Sequence, residues 1–360
     1  MNLELTEEQV ALRDTVRHFL AEKASVASHV RPMLDHSIGT TREVWSGLAD
    51  LGASGVLVPQ EFGGSGMTMV EAGIVAEELG AALHPGPWLS TAVAATRALT
   101  RLAPGADAAS LLTGIAAGST VAAVGPLAGP RAVVENGVLD ADISALPNAI
   151  DADVVLVLAD ESGRTGLFAV DATADGVCAT ERTHVDPTRK LFDVTFDRVP
   201  AKRLASPSAD DVRALVDDVL IAYAADALGA ANAVMNLAVE YAKVRRQFDQ
   251  PIGSFQAVQH LCVDMYETVE LARSGVLHAL WAADAAAPAE RHLAAVRAKA
   301  FAGQLVTVAD TAIQVFGGIG YTWEHDAHLY LKRLLGWSAF LGGSDRYLQE
   351  VGRAVGREMQ

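Results

Sequence analysis

The stretch YAKVRRQFDQPIGSFQAVQ, residues 241–259, decides the fold. Its first four residues continue a long helical pattern, FDQPIGS at 248–254 breaks that pattern, and helical spacing resumes from Ser254. After the break, Phe255, Val258, Leu261, Cys262, Met265, Val269 and Ala272 fall on one stripe, which marks a core-facing helix of some length. Helices this long in a soluble chain need partners along most of their length, so a bundle that also packs against other subunits is expected.

Outward from this stretch the chain divides into three textures. From Asp210 to the end the pattern is helical, with further breaks at the Ala-rich stretch ending in Pro288, at FGGIGY (316–321) and at LGGS (341–344). From Thr6 to about Gly114 it is helical again, opening on a capping box of Thr6 and Gln9 and an apolar series Leu12, Val16, Phe19, Leu20. Pro59 and several glycines place a loop at 51–66. GGSG within it, residues 63–66, lacks the strand-before, helix-after setting of a dinucleotide loop and reads as a turn. Between Ser119 and Leu204 short β-branched runs alternate with turn residues: TVAAVGP, RAVVENGVL, ADVVLVLADESG, GLFAVDA and LFDVTFDRVP read as strands, with Asn136-Gly137 as a hairpin turn. The expected domains are an N-terminal helical domain (1–115), a small β-barrel or sheet domain (116–205) and a C-terminal four-helix-type domain (206–360).

Composition narrows the function classes. Among 360 residues, 28 Lys plus Arg stand against 44 Asp plus Glu, a net charge of −16 that argues against nucleic acid while leaving room for a local basic site on a phosphorylated cofactor. With 51% hydrophobic and 20% charged residues the chain has ample material for a core. Two cysteines, Cys178 and Cys262, far apart, exclude a disulfide framework or a cysteine zinc site. MNLELTEEQV at the start has neither the basic opening nor the apolar stretch of a signal peptide. The most apolar helical region, from Val219, is interrupted by Asp226, Asn232 and Asn236, so no membrane span is expected and the expected location is cytoplasmic.

Three segments, in order, resemble the flavin-dependent acyl-CoA dehydrogenase family over essentially the whole chain. They are LTEEQVALRDTVRHFL with WSGLADLGASGVLVPQEFGGSG and VAEELGAAL near the N-terminus; residues 241–259; and QVFGGIGYTWEHDAHLYLKR, residues 314–333. The resemblance implies that family's fold, and a reaction in which a carboxylate removes the α-proton of an acyl-CoA while a β-hydride passes to FAD. It also implies an FAD laid across a subunit interface, with its ring on one chain and its pyrophosphate and adenosine held by the neighbour.

The neighbour's half of that site is matched here. Arg245 stands at the pyrophosphate arginine of the family's RxxFGxPI motif, Gln247 and Phe248 lie beside it, and Gln256 opens the next helix. Gln314, Gly317 and Gly318 match a Q-x-x-GG segment. Arginine suits phosphate because its fixed charge and forked donors match the oxygens. Asp249 replaces the family's glycine and sets a negative charge nearby.

The ring-holding half is not matched. VAAVGPLAGPRAVVENG, residues 121–137, lacks the family's TEPxAGSD-like cluster, and 137–155 lacks its tryptophan. At the two family base positions stand Leu341, after Phe340, and Val219; Leu220 replaces an arginine that helps hold the acyl-CoA. The resemblance therefore points to the shortened, non-catalytic subunit of a heteromeric acyl-CoA dehydrogenase. Its expected partners are a second, catalytically complete chain in an α2β2 assembly, a bulky acyl-CoA such as a steroid side-chain thioester, and an electron-transfer flavoprotein. Two other readings stand beside it: a homomeric enzyme with Asp218 or Asp345 as base, and a non-enzymatic assembly protein of the same fold. His325 and His328, at i and i+3 on an expected helix TWEHDAHLYL, are read as solvated or interface residues rather than metal ligands, and Glu77-Glu78 as a solvated helix face.

Overall fold

The computed structural model describes residues 4–103 and 105–358. Met1–Leu3, at the start of the stretch read for a leader, lie outside the described residues. The N-terminal third holds α1 (Glu7–Lys23), α2 (Arg31–Met33), α3 (Arg42–Asp50), α4 (Met69–Ala81), three π-helical segments at Val26–Val30, Leu89–Ala95 and Ala98–Leu102, and α5 (Ala106–Ala116). The expected capping box forms: Thr6 accepts from the Gln9 N–H and Gln9 reaches back to the Thr6 N–H. Thr68 and Glu71 repeat the device at the head of α4.

The middle is one eight-stranded sheet of β1 (Ala122–Gly125), β2 (Ala132–Glu135), β3 (Val138–Pro147), β4 (Val154–Glu161), β5 (Arg164–Asp171), β6 (Val177–Glu181), β7 (Leu191–Pro200) and β8 (Lys202–Ala205). Their order is β6-β7-β3-β2-β4-β5-β8, with β1 parallel to β4 in the register Ala122↔Val154. Asn136 and Gly137, at φ +52° and +75°, make the two-residue turn of the β2–β3 hairpin. β4 is buried on both faces, as its unbroken VVLVLA requires. Val154, Leu156 and Leu158 pack toward the helices around Leu99 and Leu112, and Val155 and Val157 toward Phe168, Phe192 and Phe196.

The C-terminal part holds α6 (Ala209–Val244), a hairpin of β9 (Arg246–Gln247) and β10 (Gln250–Pro251), then α7 (Gln256–Ala285), α8 (Pro288–Ala302), α9 (Leu305–Phe316), α10 (Ala327–Ala339) and α11 (Ser344–Glu358). Pro288 sits at the first position of α8, where its missing N–H costs nothing. The first and last thirds share one core: Val16, Leu20, Val75 and Leu79 pack with Ile221, Leu228, Val234 and Leu280. Where α4 crosses α6 the helices touch backbone to backbone. A Cβ on Gly80 would overlap the Asp226 carbonyl, and one on Gly229 the Glu77 carbonyl. Each of VAEELG and AADALG thus carries a glycine at the crossing.

Two surface readings are corrected here. Glu78 is buried and its carboxylate takes Arg17 from α1 at 2.7 and 2.9 Å, while Glu77 takes Arg273 from α7 at 2.6 Å. The pair ties three helices together because α1 and α7 flank α4 on the face where both glutamates project. His325 precedes α10 and its Nδ1 accepts the Ala327 N–H, so the two histidines do not share a helix. His328 is buried edge-on against Trp323. Among the described residues no cluster of three metal-ligating side chains occurs, and no helix is long and apolar enough to cross a membrane.

Candidate active and cofactor site

A chamber of about 580 Å³ lies between the sheet and α10. Its walls are the end of β1 and its loop (Val124–Ala128), the end of β3 (Ile143–Pro147), His184 and Val185, and the segment from Leu335 through Phe340, Leu341 and Gly342 to Arg346. β3 is turned into this wall by a register slip against β7 between Ile143 and Leu146. Ala145 there adopts φ +56° and its N–H donates to Asp193. The two segments that lack the ring-holding motifs and the segment carrying Leu341 therefore converge on one space.

The lining decides what that space can do. Among the described residues its titratable side chains are His184 and Arg346, and no carboxylate faces it. Pro126 offers no N–H, and Ser144 is the lining's one hydroxyl. The side-chain donors on this wall are therefore Ser144, His184 and Arg346, and any further contact to a flavin edge would have to come from backbone groups. Leu341 holds its place through its backbone: at φ +54° its carbonyl accepts the Tyr347 hydroxyl at 2.8 Å. Lys299 on α8 donates to the Trp337 carbonyl at 2.6 Å and fixes the last turn of α10. Burial pushes the Lys299 ammonium down to about 7.

The carboxylates considered as bases lie elsewhere. Val219 is buried in the cluster that holds Ala94, Ala95, Ala98 and Leu99, and it does not line the chamber. Asp218 is fully buried between Arg101, at 2.5 and 3.2 Å, and Arg97, at 3.4 Å. Burial raises its carboxyl against the pull of both arginines. Its oxygens are committed to those partners and it does not face the chamber. Asp345 is exposed in the first turn of α11.

The residues matched to the phosphate-holding half gather at the C-terminal end of α6. Arg245 closes that helix, its N–H on the Tyr241 carbonyl and its own carbonyl accepting from Ile252, both at 2.8 Å. β9 and β10 pair Gln247 with Gln250 across Phe248 (φ +52°) and Asp249 (φ +64°), a tight turn whose second residue favours glycine. Gln256 opens α7, and α9 stops at Phe316 with Gly317 at φ +64°. The Tyr241 and Phe316 rings, 5.0 Å apart, bring the end of α9 to the end of α6. Arg245, Gln247, Phe248, Gln256, Gln314, Gly317 and Gly318 are all exposed. The side chains of Arg245, Gln247, Gln256 and Gln314 make no hydrogen bond or ion pair with any described residue. A Cβ on Gly317 or Gly318 would meet nothing within 4 Å. Free donors beside bare glycine backbone fit a pyrophosphate arriving from outside the chain.

One buried cluster went unread in the sequence. Asp226 takes Arg333 at 2.7 and 3.0 Å and lies 2.7 Å from Arg189. Burial works to raise the Asp226 carboxyl, but the two arginines outweigh it and hold it below its usual range. An aspartate inside the apolar run AADALG was the available signal.

The acyl-CoA dehydrogenase N-terminal domain matches residues 6–119 and the C-terminal domain residues 221–356. Acyl-CoA dehydrogenase IpdE2 of Mycobacterium tuberculosis is 35% identical over 346 residues, covering 96% of each chain. The chain belongs to the acyl-CoA dehydrogenase family. Among solved structures, the Tcur3481-Tcur3483 steroid ACAD superposes with a TM-score of 0.89 at 28% identity, covering 98% of this chain and 99% of that one. The ChsE4-ChsE5 complex from Mycobacterium tuberculosis does so with 0.89 at 25% identity, covering 99% of both. The protein is an acyl-CoA dehydrogenase of the family fold expected from its sequence, and FAD is that family's cofactor.

Proposed function

We propose that this chain is the base-less subunit of a heteromeric acyl-CoA dehydrogenase, completing the FAD site of a different, catalytically competent chain and holding no active centre of its own. The observation that carries this reading is the asymmetry between the chamber and the surface at the C-terminal end of α6. The chamber at the family's ring and base positions has Leu341 and no carboxylate, while the phosphate-type donors at Arg245 stand outward and unpaired.

In that complex a bound FAD would supply the acceptor for the hydride of the acyl β-carbon. The work of this chain is to bind and orient. Arg245 neutralises pyrophosphate charge, Gln247, Gln256 and Gln314 donate and accept along the adenosine side, and Gly317–Gly318 admit close backbone approach. Phe248, 86% exposed, would cover the cofactor and exclude water. The α-proton is removed by the partner's carboxylate, and two such pairs give an α2β2 assembly. The similarity to a steroid ACAD supports a bulky steroid-type CoA thioester as substrate; in this reading an electron-transfer flavoprotein is the acceptor and the cytoplasm the location.

Colour tests the reading. The chain purified alone is expected to be colourless, and co-expression with a complete acyl-CoA dehydrogenase chain from the same source to yield a yellow, active complex. Stoichiometric flavin in the pure homomer, with turnover, would overturn it.

A further inference from the structure

Three ionisable side chains outside the sites described above meet in a row, one each from α6, α8 and α11. His292 Nδ1 lies 2.9 and 3.1 Å from the two oxygens of Asp217, and its Nε2 lies 2.9 Å from Glu350. Asp217 is buried, while the Glu350 side chain is 42% exposed. An ionised carboxylate only accepts, and a neutral imidazole has one N–H to give. Both contacts are therefore satisfied by the imidazolium alone, which donates from each nitrogen. A neutral ring would turn a lone pair onto one of the two carboxylates.

The surroundings favour the charged ring. The hydrogen bond to Asp217 and, to a lesser degree, that to Glu350 hold the His292 imidazolium above its usual range against the pull of burial. Tyr347 on α11 stands near the same two carboxylates, and Arg291, beside His292 on α8, acts on Asp211 at the start of α6. What the row fastens is α11. Among the described residues Tyr347 is that helix's one buried side chain, packed with Leu220, Val296 and Ala300. Its hydroxyl donates to the Leu341 carbonyl, so the seat of α11 and the position of Leu341 are joined.

We propose that Asp217, His292 and Glu350 form a pH-sensitive latch on α11: the imidazolium fastens the helix to α6 and α8, and loss of its proton releases the Glu350 contact. Glu350 is the one that lets go because water can solvate it, whereas Asp217 without a donor would carry a desolvation cost. The folded value of His292 lies above the ordinary 6.5, so the contribution of the latch is whole below about pH 6.5 and is lost as pH rises through that folded value.

Amide exchange on the full chain, read by mass spectrometry and corrected for the intrinsic pH dependence of exchange, tests the latch from about pH 6 to about pH 9. Protection of α11 is expected to fall about three- to tenfold across that range, between the weight of a solvent-screened ion pair and that of a charge-assisted hydrogen bond, while protection of α7 holds. In Glu350→Gln, a change at a half-exposed position that leaves the core intact, and in His292→Gln, protection of α11 is expected to be low throughout and flat in pH. The same fall in Glu350→Gln as in the unsubstituted chain, or no fall in the unsubstituted chain, would overturn the latch. A fall shared equally by α7 would overturn it too, since the whole fold would then be loosening.

Discussion

The surface at the C-terminal end of α6 and the interior behind the chamber carry opposite chemistry. Around Arg245, polar side chains face outward and are left to solvent. Behind the chamber's apolar wall, Asp226 from the middle of α6 is paired with Arg333. The difference teaches where a half-site can be kept at low cost. An arginine in water stabilises nothing and costs nothing, so its place is explained by what it meets beyond the chain. A carboxylate on an apolar wall carries a desolvation cost, and a leucine there removes it.

The strongest way to break this comparison is through Asp218. Asp218→Asn would leave Arg97 and Arg101 short of a countercharge, and a loss of about 3–5 kcal/mol is expected in denaturant unfolding. Turnover per folded complex should stay within a few fold, because the carboxylate does not face the chamber. A general base would cost 10²–10⁴ in rate, and a loss of that size at constant flavin content would move the active centre into this chain.

The second test concerns the interior beside the arginines. His84 is buried with both ring nitrogens unpartnered; burial, with His29, Arg333 and Arg189 adding to it, pushes its pKa down to about 3. Below about pH 6.5 the unfolded chain takes up a proton that the folded chain refuses until near pH 3. Stability is therefore expected to fall as pH falls through that window, by up to about 1.4 kcal/mol per pH unit. Urea midpoints at pH 7 and pH 5, compared with those of His84→Leu, check this: the substituted chain should have a flatter acid limb.

Smaller effects sharpen the outward end. Arg245→Ala in a reconstituted complex is expected to weaken FAD retention by about 1.5–3 kcal/mol without altering assembly, read as flavin remaining through a dialysis series. Asp249→Gly should relieve a left-handed residue, stabilise the chain by roughly 1 kcal/mol, and raise flavin retention by removing a negative charge. Unchanged retention in both variants would detach the hairpin from the cofactor.

Local devices were legible in the sequence because their causes are local. Thr6 with Gln9, Asn136-Gly137, Pro288 and the glycine stop at 317 each act within a few residues. β6 and β8, VCATE and KRLA, were missed: they are short, largely exposed strands at the two ends of the sheet, and no apolar alternation marks them. Glu77 and Glu78 were misread because their partners, Arg273 and Arg17, come from distant helices. Leu341 could be named from the family likeness. The chamber around it could not, because its walls join segments more than two hundred residues apart.

The glycine crossing of α4 and α6 has a consequence for how the chain is made. The helices of the first third rest on α6, which ends at Val244, more than a hundred residues after α5. At roughly 5–20 residues per second, synthesis of that interval takes on the order of ten seconds. Throughout it the face of α4 that meets α6 stands without its partner. A slow codon tract between the sheet and α6 would lengthen that exposure and lower soluble yield without changing one residue of the protein.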